Sequence, residues 1–174
     1  MTHGGSLFVR AMKLTLCGLC MTAWGSLPVG SAEASALDTG ATGATSTSVS
    51  VGPMSFGDIS AVGVFSGTAA ITIRAPRGAV YRVALNGGLS RAGGSRFVTK
   101  QDGTAGMPYQ LCKDAGCTMP WGDSDLDNTF PRGTSLSGRG TGRDQHLTVF
   151  GRLIVSTLPP PGSYHDSVLV TVFY

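Results

Sequence analysis

The final residues of the sequence alternate in a way that is typical of a buried strand. Four of them fall at every second position and therefore share one face of a strand: Val168, Val170, Val172 and Tyr174. Leu169 and Phe173 make the opposite face partly apolar. A strand that is apolar on both faces belongs inside a sheet rather than at an exposed rim. Because no later segment follows, we expect either an earlier strand or a strand of another chain to cover it.

The rest of the sequence favours strands over helices. Of 174 residues, 26 are glycine and only 13% are charged, which suits short strands joined by turns. Alternating segments predict strands at 45–51, 67–75, 79–86, 96–99, 108–112, 145–154 and 163–174. The segment 123–143 is rich in glycine and is predicted to be a loop. Strands at this spacing predict one antiparallel β-sandwich domain.

Residues 1–36 have the pattern of a cleaved secretory signal peptide. Arg10 and Lys13 supply the positive region, and 14–23 supply a short apolar core. Small residues at 34–36 offer a cleavage site. The apolar run is too short to span a bilayer, and the alternative is a retained N-terminal helix that anchors the chain. The pattern predicts export, with passage through the periplasm to the cell surface or the extracellular space.

Cleavage would also remove most of the excess positive charge. The whole chain carries 13 Lys and Arg against 10 Asp and Glu, and all the acidic residues lie at or after Glu33. Losing Arg10 and Lys13 leaves a chain that is close to neutral. A nucleic-acid partner is therefore not expected, because such binding depends on concentrated positive charge.

Cys112 and Cys117 are the cysteines that remain beyond the predicted leader, which contains Cys17 and Cys20. The four residues between them include a turn-like Asp-Ala-Gly, so the pair could close a strand-turn hairpin. An exported protein favours a disulfide here. Free thiols are the first alternative. A metal site is the second, although it would need two further ligands, and no neighbouring His or Cys supplies them.

A series of short motifs follows one another in order beyond residue 46. They are SFGD at 55–58, TI at 72–73, GAVY at 78–81, LNGG at 85–88, Arg96, MPYQL at 107–111, WGD at 121–123, LTVFGR at 147–152, PGSYHD at 161–166 and VLVTVFY at 168–174. This ordered set resembles the spore coat protein U domain family, which includes subunits of archaic chaperone–usher pili. The resemblance covers about 46–174.

The resemblance implies an all-β, immunoglobulin-like antiparallel sandwich that lacks its final strand. A periplasmic chaperone would fill the gap first, and the N-terminal extension of another subunit would replace it at an outer-membrane usher. The wall of the acceptor groove would be the face formed by Val168, Val170, Val172 and Tyr174. An added strand satisfies both the free backbone groups and the apolar pockets of such a groove.

The candidate donor strand is the extension at 37–48, which precedes the sandwich domain at 46–174. Its alternating positions are Leu37, Thr39, Ala41, Thr45 and Thr47. These side chains are mostly small, so they fill pockets weakly. Members of the family usually carry a Cys near the first strand and another after the TI strand, whereas this chain has none at 46–51 or at 74–75.

We therefore expect a secreted structural subunit of a chaperone–usher pilus or surface coat that is not an enzyme. The alternative is a self-contained secreted binding module or tip adhesin with a β-sandwich fold. Ser163, His165 and Asp166 are too close in sequence to converge as a catalytic triad, and Asp123, Asp125 and Asp127 lack the spacing of a calcium loop. No cofactor, metal or small-molecule substrate is expected. Trp121 and Tyr164 are expected to pack, Tyr164 at a strand corner.

Overall fold

The computed structural model describes residues 6–17 (as backbone), 46–103, 106–127 and 129–174, and these form strands joined by turns. The strands in chain order are β1 (Ser6–Cys17), β2 (Ser48–Val51), β3 (Met54–Ser55), β4 (Gly63–Arg74), β5 (Val80–Leu85), β6 (Arg91–Ala92), β7 (Ser95–Lys100), β8 (Gly106–Cys112), β9 (Leu136–Arg139), β10 (Asp144–Val155) and β11 (Ser163–Phe173). Among the described residues, no helix is long and apolar enough to cross a membrane.

The hydrogen-bonded strand order is β2-β4-β10-β8-β7-β11-β1-β3, with β5 and β9 joined to β11 and β6 joined to β7. The backbone of the first layer is the antiparallel ladder of β4 and β10, which runs without a break from Gly63 opposite Val155 to Arg74 opposite Asp144. The second layer is built on β11, which pairs antiparallel with β5 and with β1. The predicted all-β antiparallel fold is confirmed.

Strand alternation explains why these two layers pack together. Inward residues of both layers belong to one continuous buried cluster; they include Ile71, Ile73, Val149 and Leu153 from the first layer and Val83, Leu85, Val168 and Val170 from the second. Their neighbours in sequence point outward and are mostly more exposed. The period-two pattern therefore identified the core faces of β4, β5, β10 and β11.

Two glycines that lie opposite each other make room for β3 between the layers. Gly67 of β4 pairs with Gly151 of β10. A Cβ on Gly67 would collide with the carbonyl oxygen of Ser55, and a Cβ on Gly151 would lie 2.9 Å from the ring of Phe56. Met54 is also buried over this site. The missing side chains thus let β3 and Phe56 lie directly against the β4–β10 ladder.

The predicted disulfide is present between Cys112 and Cys117, immediately after β8. Asp114 organises the enclosed turn, because its carboxylate accepts hydrogen bonds from the backbone nitrogens of Thr118 and Met119 at 3.0 and 2.7 Å. Cys117 itself has a positive φ of 56°. The turn is therefore held both covalently and by an aspartate that caps its free N–H groups.

The structure also corrects several boundaries. Strand β4 begins at Gly63, four residues before the predicted start, and residues 136–139 form β9 inside the predicted loop. Leu136–Arg139 contains only one large apolar residue, so it lacks the period-two alternation by which a strand is recognised in a sequence. Pairing with β5 makes it a strand nonetheless, from Val80 opposite Arg139 to Val83 opposite Leu136.

Replacing Gly67 with alanine should lower the free energy of unfolding by about 1–3 kcal/mol, because the new Cβ overlaps backbone of β3 rather than a movable side chain. Gly52→Ala is the matched control, since its Cβ would meet Ala70 at an ordinary 3.5 Å. The control should be neutral or slightly stabilising. Equilibrium denaturation measures both, and equal effects of the two substitutions would contradict the packing role of Gly67.

Candidate functional site: the covered edge of the final strand

Strand β11 has backbone partners along both of its edges. On one edge it pairs with β5 near its end, at residues 170–173, and with β7 near its start, at Tyr164 and His165. On the other edge it pairs with β1, antiparallel, from Ser6 opposite Phe173 to Cys17 opposite Ser163. This second edge of β11 is thus covered by a segment from the N-terminal end of the chain.

The inward face of β11 carries the residues that the sequence identified as a groove wall. Val168, Val170 and Val172 are each 0% exposed. Tyr174 does not share their burial, because β11 ends at Phe173 and Tyr174 is 46% exposed. Tyr174 therefore lies at the end of the wall rather than in it.

β1 has an apolar residue opposite each inward-facing position of β11. Directly opposed residues in an antiparallel ladder occupy the same face. The residues of β1 opposite Tyr164, Asp166, Val168, Val170 and Val172 are, in that order, Leu16, Leu14, Met12, Val9 and Leu7. The register shifts once, between Val9 and Ala11, which keeps apolar residues in phase on both sides of the shift. Five apolar residues thus stand at the five positions that oppose the inward face.

The other side of β1 faces β3. These two strands run parallel, with Leu14 opposite Met54 and Thr15 opposite Ser55. β1 therefore lies in a slot between an antiparallel neighbour, β11, and a short parallel neighbour, β3. The glycine pair beneath β3 positions this second wall of the slot.

Most of the predicted donor strand lies outside the described residues, and it was predicted to enter the groove of another subunit. Of the candidate donor positions, Leu37, Thr39, Ala41 and Thr45 lie outside the described residues, and Thr47 directly precedes β2. The slot instead contains Ser6–Cys17, which falls within the predicted leader. At the positions that oppose the wall β1 has Leu, Val and Met, whereas the candidate donor has mostly Thr, Ala and Gly.

Asp166 is a residue of β11 whose burial the sequence pattern did not predict. It is 2% exposed and lies on the same face as the valines. One carboxylate oxygen accepts hydrogen bonds from the backbone nitrogens of Leu89, Ser90 and Ser167 at 2.8–3.1 Å, and the other accepts one from the hydroxyl of Tyr109 at 2.7 Å. Asp166 therefore ties the groove strand to the loop before β6 and to β8.

The loop that meets Asp166 requires a glycine. Gly88 has a φ of 77°, and a Cβ there would overlap the Asp166 carboxylate. The adjacent Asn86 accepts hydrogen bonds through Oδ1 from the backbone nitrogens of Gly88 and Leu169, at 3.0 and 2.9 Å. The LNGG motif at 85–88 is therefore a loop shaped to hold β11 from one side.

Arg96 is a second buried charged residue that the sequence pattern did not reveal. It lies two positions before Val98 in β7, so it shares the inward face of that strand. It is 1% exposed, and its guanidinium donates to the carbonyl oxygens of Leu85, Asn86 and Trp121 at 2.8–3.0 Å. It also lies 4.0 Å from the centre of the Phe130 ring. Burial lowers the pKa of Arg96 to about 10, so it stays charged at neutral pH.

Trp121 and Tyr164 take the packing roles that the sequence predicted. Trp121 is fully buried, and its Nε1 donates to the carbonyl oxygen of Val83 at 2.9 Å. Tyr164 is buried at the start of β11, and its hydroxyl donates to the carbonyl oxygen of Pro160 at 2.8 Å. The hydrogen bond ties the proline-rich segment to the start of the strand, as expected of a tyrosine at a strand corner.

The residues considered above for a catalytic triad and for a calcium loop have other positions and contacts in the structure. His165 and Asp166 are consecutive in β11, so their side chains point to opposite faces. Asp123 is buried and accepts hydrogen bonds from Thr129 and from the backbone nitrogen of Phe130, rather than lying in a solvated loop. Asp125 accepts two hydrogen bonds from Ser135. These aspartates stabilise the long loop before β9.

The Spore Coat Protein U domain model matches residues 14–171 of the sequence. The chain belongs to the Spore Coat Protein U domain family. The match extends further toward the N-terminus than the motif series, which began near residue 46, and it includes the last residues of β1. No curated protein matches the chain.

A solved structure similar to this Spore Coat Protein U domain supports the same fold. It is a chain of the CsuC–CsuE chaperone–tip adhesion subunit pre-assembly complex from archaic chaperone–usher Csu pili of Acinetobacter baumannii. The alignment has 21% sequence identity and a TM-score of 0.50, and it covers 74% of this chain. It covers 40% of the other chain, so the present chain spans well under half of that neighbour. The fold is an all-β, immunoglobulin-like sandwich.

Asp166→Asn should change how stability depends on pH. Burial raises the pKa of Asp166 in the folded protein, more than its hydrogen bonds lower it. A raised folded-state pKa contributes stability at low pH that is lost as pH rises above about 3.9 and through the folded-state value. The stability of the wild type relative to Asp166→Asn should therefore fall with rising pH, measured by denaturation from about pH 3 to 7.

Tyr109→Phe serves as the matched comparison for this experiment. The hydroxyl of Tyr109 lowers the pKa of Asp166 by hydrogen bonding, so its removal should make the loss of stability with pH steeper. Other carboxylates are common to all three proteins and cancel in the differences. A pH-independent difference between wild type and Asp166→Asn would show that Asp166 titrates alike in the folded and unfolded chains.

Proposed function

We propose that this protein is an exported, structural subunit of a chaperone–usher pilus or surface coat, assembled by strand addition along β11. The observation that supports this role is the long edge of β11, whose partner over all eleven residues comes from the N-terminal end of the chain. Residues 1–36 form the signal peptide in this proposal. Their removal on export leaves the edge of β11 and the inward valines without a partner.

The energetics of such an open edge favour the addition of a strand. About five apolar side chains buried in the slot stabilise the filled state by roughly 1.5–3 kcal/mol each. Ordering the backbone of the incoming strand has an entropic cost that opposes this gain. Hydrogen bonds along the ladder satisfy backbone groups that would otherwise be exposed at a sheet edge. A free mature subunit is therefore prone to pair with any suitable strand.

The proposed partners follow from this need. A periplasmic chaperone covers the edge after export, and an outer-membrane usher mediates its replacement by a strand from another copy or a homologous subunit. The protein passes through the periplasm and ends at the cell surface or outside the cell. The proposal assigns no catalysis, cofactor, nucleic acid or small-molecule substrate to the chain.

The proposed donor of this chain is the extension at 37–48, which leads into β2. The register of β1 indicates what a donor for the slot needs, which is an apolar residue opposite each inward position of β11. The alternating donor positions Leu37, Thr39, Ala41, Thr45 and Thr47 offer one large apolar side chain. Such an extension would bind a neighbouring groove weakly. This favours a position near the end of a fibre, where the contact made by the extension matters less.

A chain that starts at Leu37 should aggregate or form ladders that resist mild denaturant when it is produced without a chaperone, because the β11 edge is open. Adding a peptide with the sequence of Ser6–Cys17 during refolding should give a soluble monomer. Size-exclusion chromatography and gel electrophoresis without boiling measure both states. A stable, cooperatively unfolding monomer without any peptide would contradict the strand-addition mechanism.

Two altered peptides make the test specific to the slot. The change Met12→Asp places a charge opposite Val168 and should abolish the rescue. The change Thr15→Asp places the same charge opposite His165, on the outward and less buried face of the strand, and should retain most of it. Equal rescue by both peptides would show that the inward positions do not select the strand.

Deleting residues 37–47 tests the proposed donor separately. The remaining chain keeps β2 and the whole groove, so it should still bind the chaperone and accept a donor peptide. Polymerisation should be abolished because no extension is left to enter a neighbouring groove. Electron microscopy of assembled material measures this, and unchanged fibres would show that another segment is the donor.

A further inference from the structure

Three arginines gather at one end of the sandwich, around two neighbouring turns. The turn between β4 and β5 carries Arg77, and the turn between β9 and β10 is flanked by Arg139 and Arg143. Together with Gly78, Gly140 and Thr141 they line one shallow concavity. All three arginines are exposed. We call this surface the arginine end.

Backbone hydrogen bonds lock the two turns together. Gly78 donates to the carbonyl oxygen of Gly140 at 2.8 Å, and Gly140 donates to that of Ala79 at 2.7 Å. Gly142 donates to the carbonyl oxygen of Ala75 at 3.0 Å. A Cβ on Gly140 would collide with the carbonyl oxygen of Pro76, so the turns approach as closely as backbones allow. The backbone that carries the arginines is therefore fixed before any ligand arrives.

The positive charge of this surface is not neutralised within the described part of the chain. The ion pairs found there join Arg82 to Asp125 and Lys100 to Asp102, and neither involves the arginine end. The acidic residue nearest in sequence, Asp144, stands opposite Arg74 in the β4–β10 ladder. Like charges held close together destabilise the folded state, and a bound anion relieves that repulsion.

We infer that the arginine end binds an anionic polysaccharide through its sulfate or carboxylate groups. Guanidinium groups bind such oxyanions with two parallel hydrogen bonds, which favours arginine over lysine for this task. The concavity is open and shallow, and three separate cations line it, which fits a chain of repeated anionic groups better than one enclosed small molecule.

The location of this surface is compatible with the proposed assembly, although the inference does not depend on it. Arg139 is opposite Val80, and two residues further along β5 Arg82 is opposite Phe173, at the end of β11. Ser48, where β2 begins, is opposite Arg74. Strand β2 therefore begins at the arginine end.

Binding of the full chain to heparin, alginate and neutral dextran tests the inference. Heparin supplies sulfates, alginate supplies carboxylates, and dextran supplies neither. We expect binding to at least one of the two polyanions, weakening with added salt, and none to dextran. The triple variant Arg77→Gln, Arg139→Gln and Arg143→Gln should reduce the affinity about tenfold or more, since each exposed ionic contact contributes modestly.

The control variant Arg91→Gln, Arg132→Gln and Arg152→Gln removes the same number of charges from other parts of the surface. It should keep affinity within about twofold of the wild type. Equal losses in the two variants, or no binding to either polyanion, would overturn the inference.

Two further readouts exclude other partners for the same surface. Binding to phosphatidylglycerol vesicles without binding to the polysaccharides would assign the arginines to a membrane surface and overturn the inference. Sedimentation of both triple variants reports self-association. A loss of self-association in the Arg77, Arg139 and Arg143 variant, with polysaccharide affinity unchanged, would place these arginines at a contact between subunits instead. Because these assays use the single chain, they can fail while strand addition still holds.

Discussion

The pairing of β11 along both of its edges is the interaction on which the rest of the fold depends. One edge is covered by β5 and β7, and the other by β1 over the full length of the strand. The inward valines of β11 lie in the single core that joins the two layers. Backbone groups and side chains therefore require a partner at the same place, because an open edge here would also expose part of the core.

Buried polar groups hold β11 in its position from the opposite side. Asp166 joins the strand to the loop before β6 and to Tyr109 of β8, and Arg96 joins Leu85, Asn86 and Trp121 through their carbonyl oxygens. Each charge is compensated by several hydrogen bonds, as a group removed from water requires. The partners of Asp166 and Arg96 in this network lie outside β1. In the proposed assembly, an incoming strand has to present apolar residues in the register that β1 shows.

Features of the fold that repeat along the sequence could be predicted from it, whereas β9 and the buried charged residues could not. Alternation identified the core faces of β4, β5, β10 and β11, and the spacing of Cys112 and Cys117 predicted the disulfide that is present. β9 was missed because Leu136–Arg139 has almost no apolar pattern and becomes a strand only by pairing with β5. Asp166 and Arg96 were missed as core residues because a charged residue in a sequence normally indicates a surface. Their burial depends on distant partners, such as Leu89 and Ser90, which lie 77 and 76 positions from Asp166.

By itself, the sequence determined the class of fold, the family resemblance and the face of the last strand that is buried, since these follow from period-two patterns and ordered local motifs. Only the tertiary structure decided which segment lies in the slot beside β11. It placed Ser6–Cys17 there, opposite the inward residues, between β11 and β3. Strand pairing is a contact between segments that are distant along the chain, and several segments could compete for one edge. The choice depends on register and on how well the apolar residues match the wall, neither of which a local pattern contains.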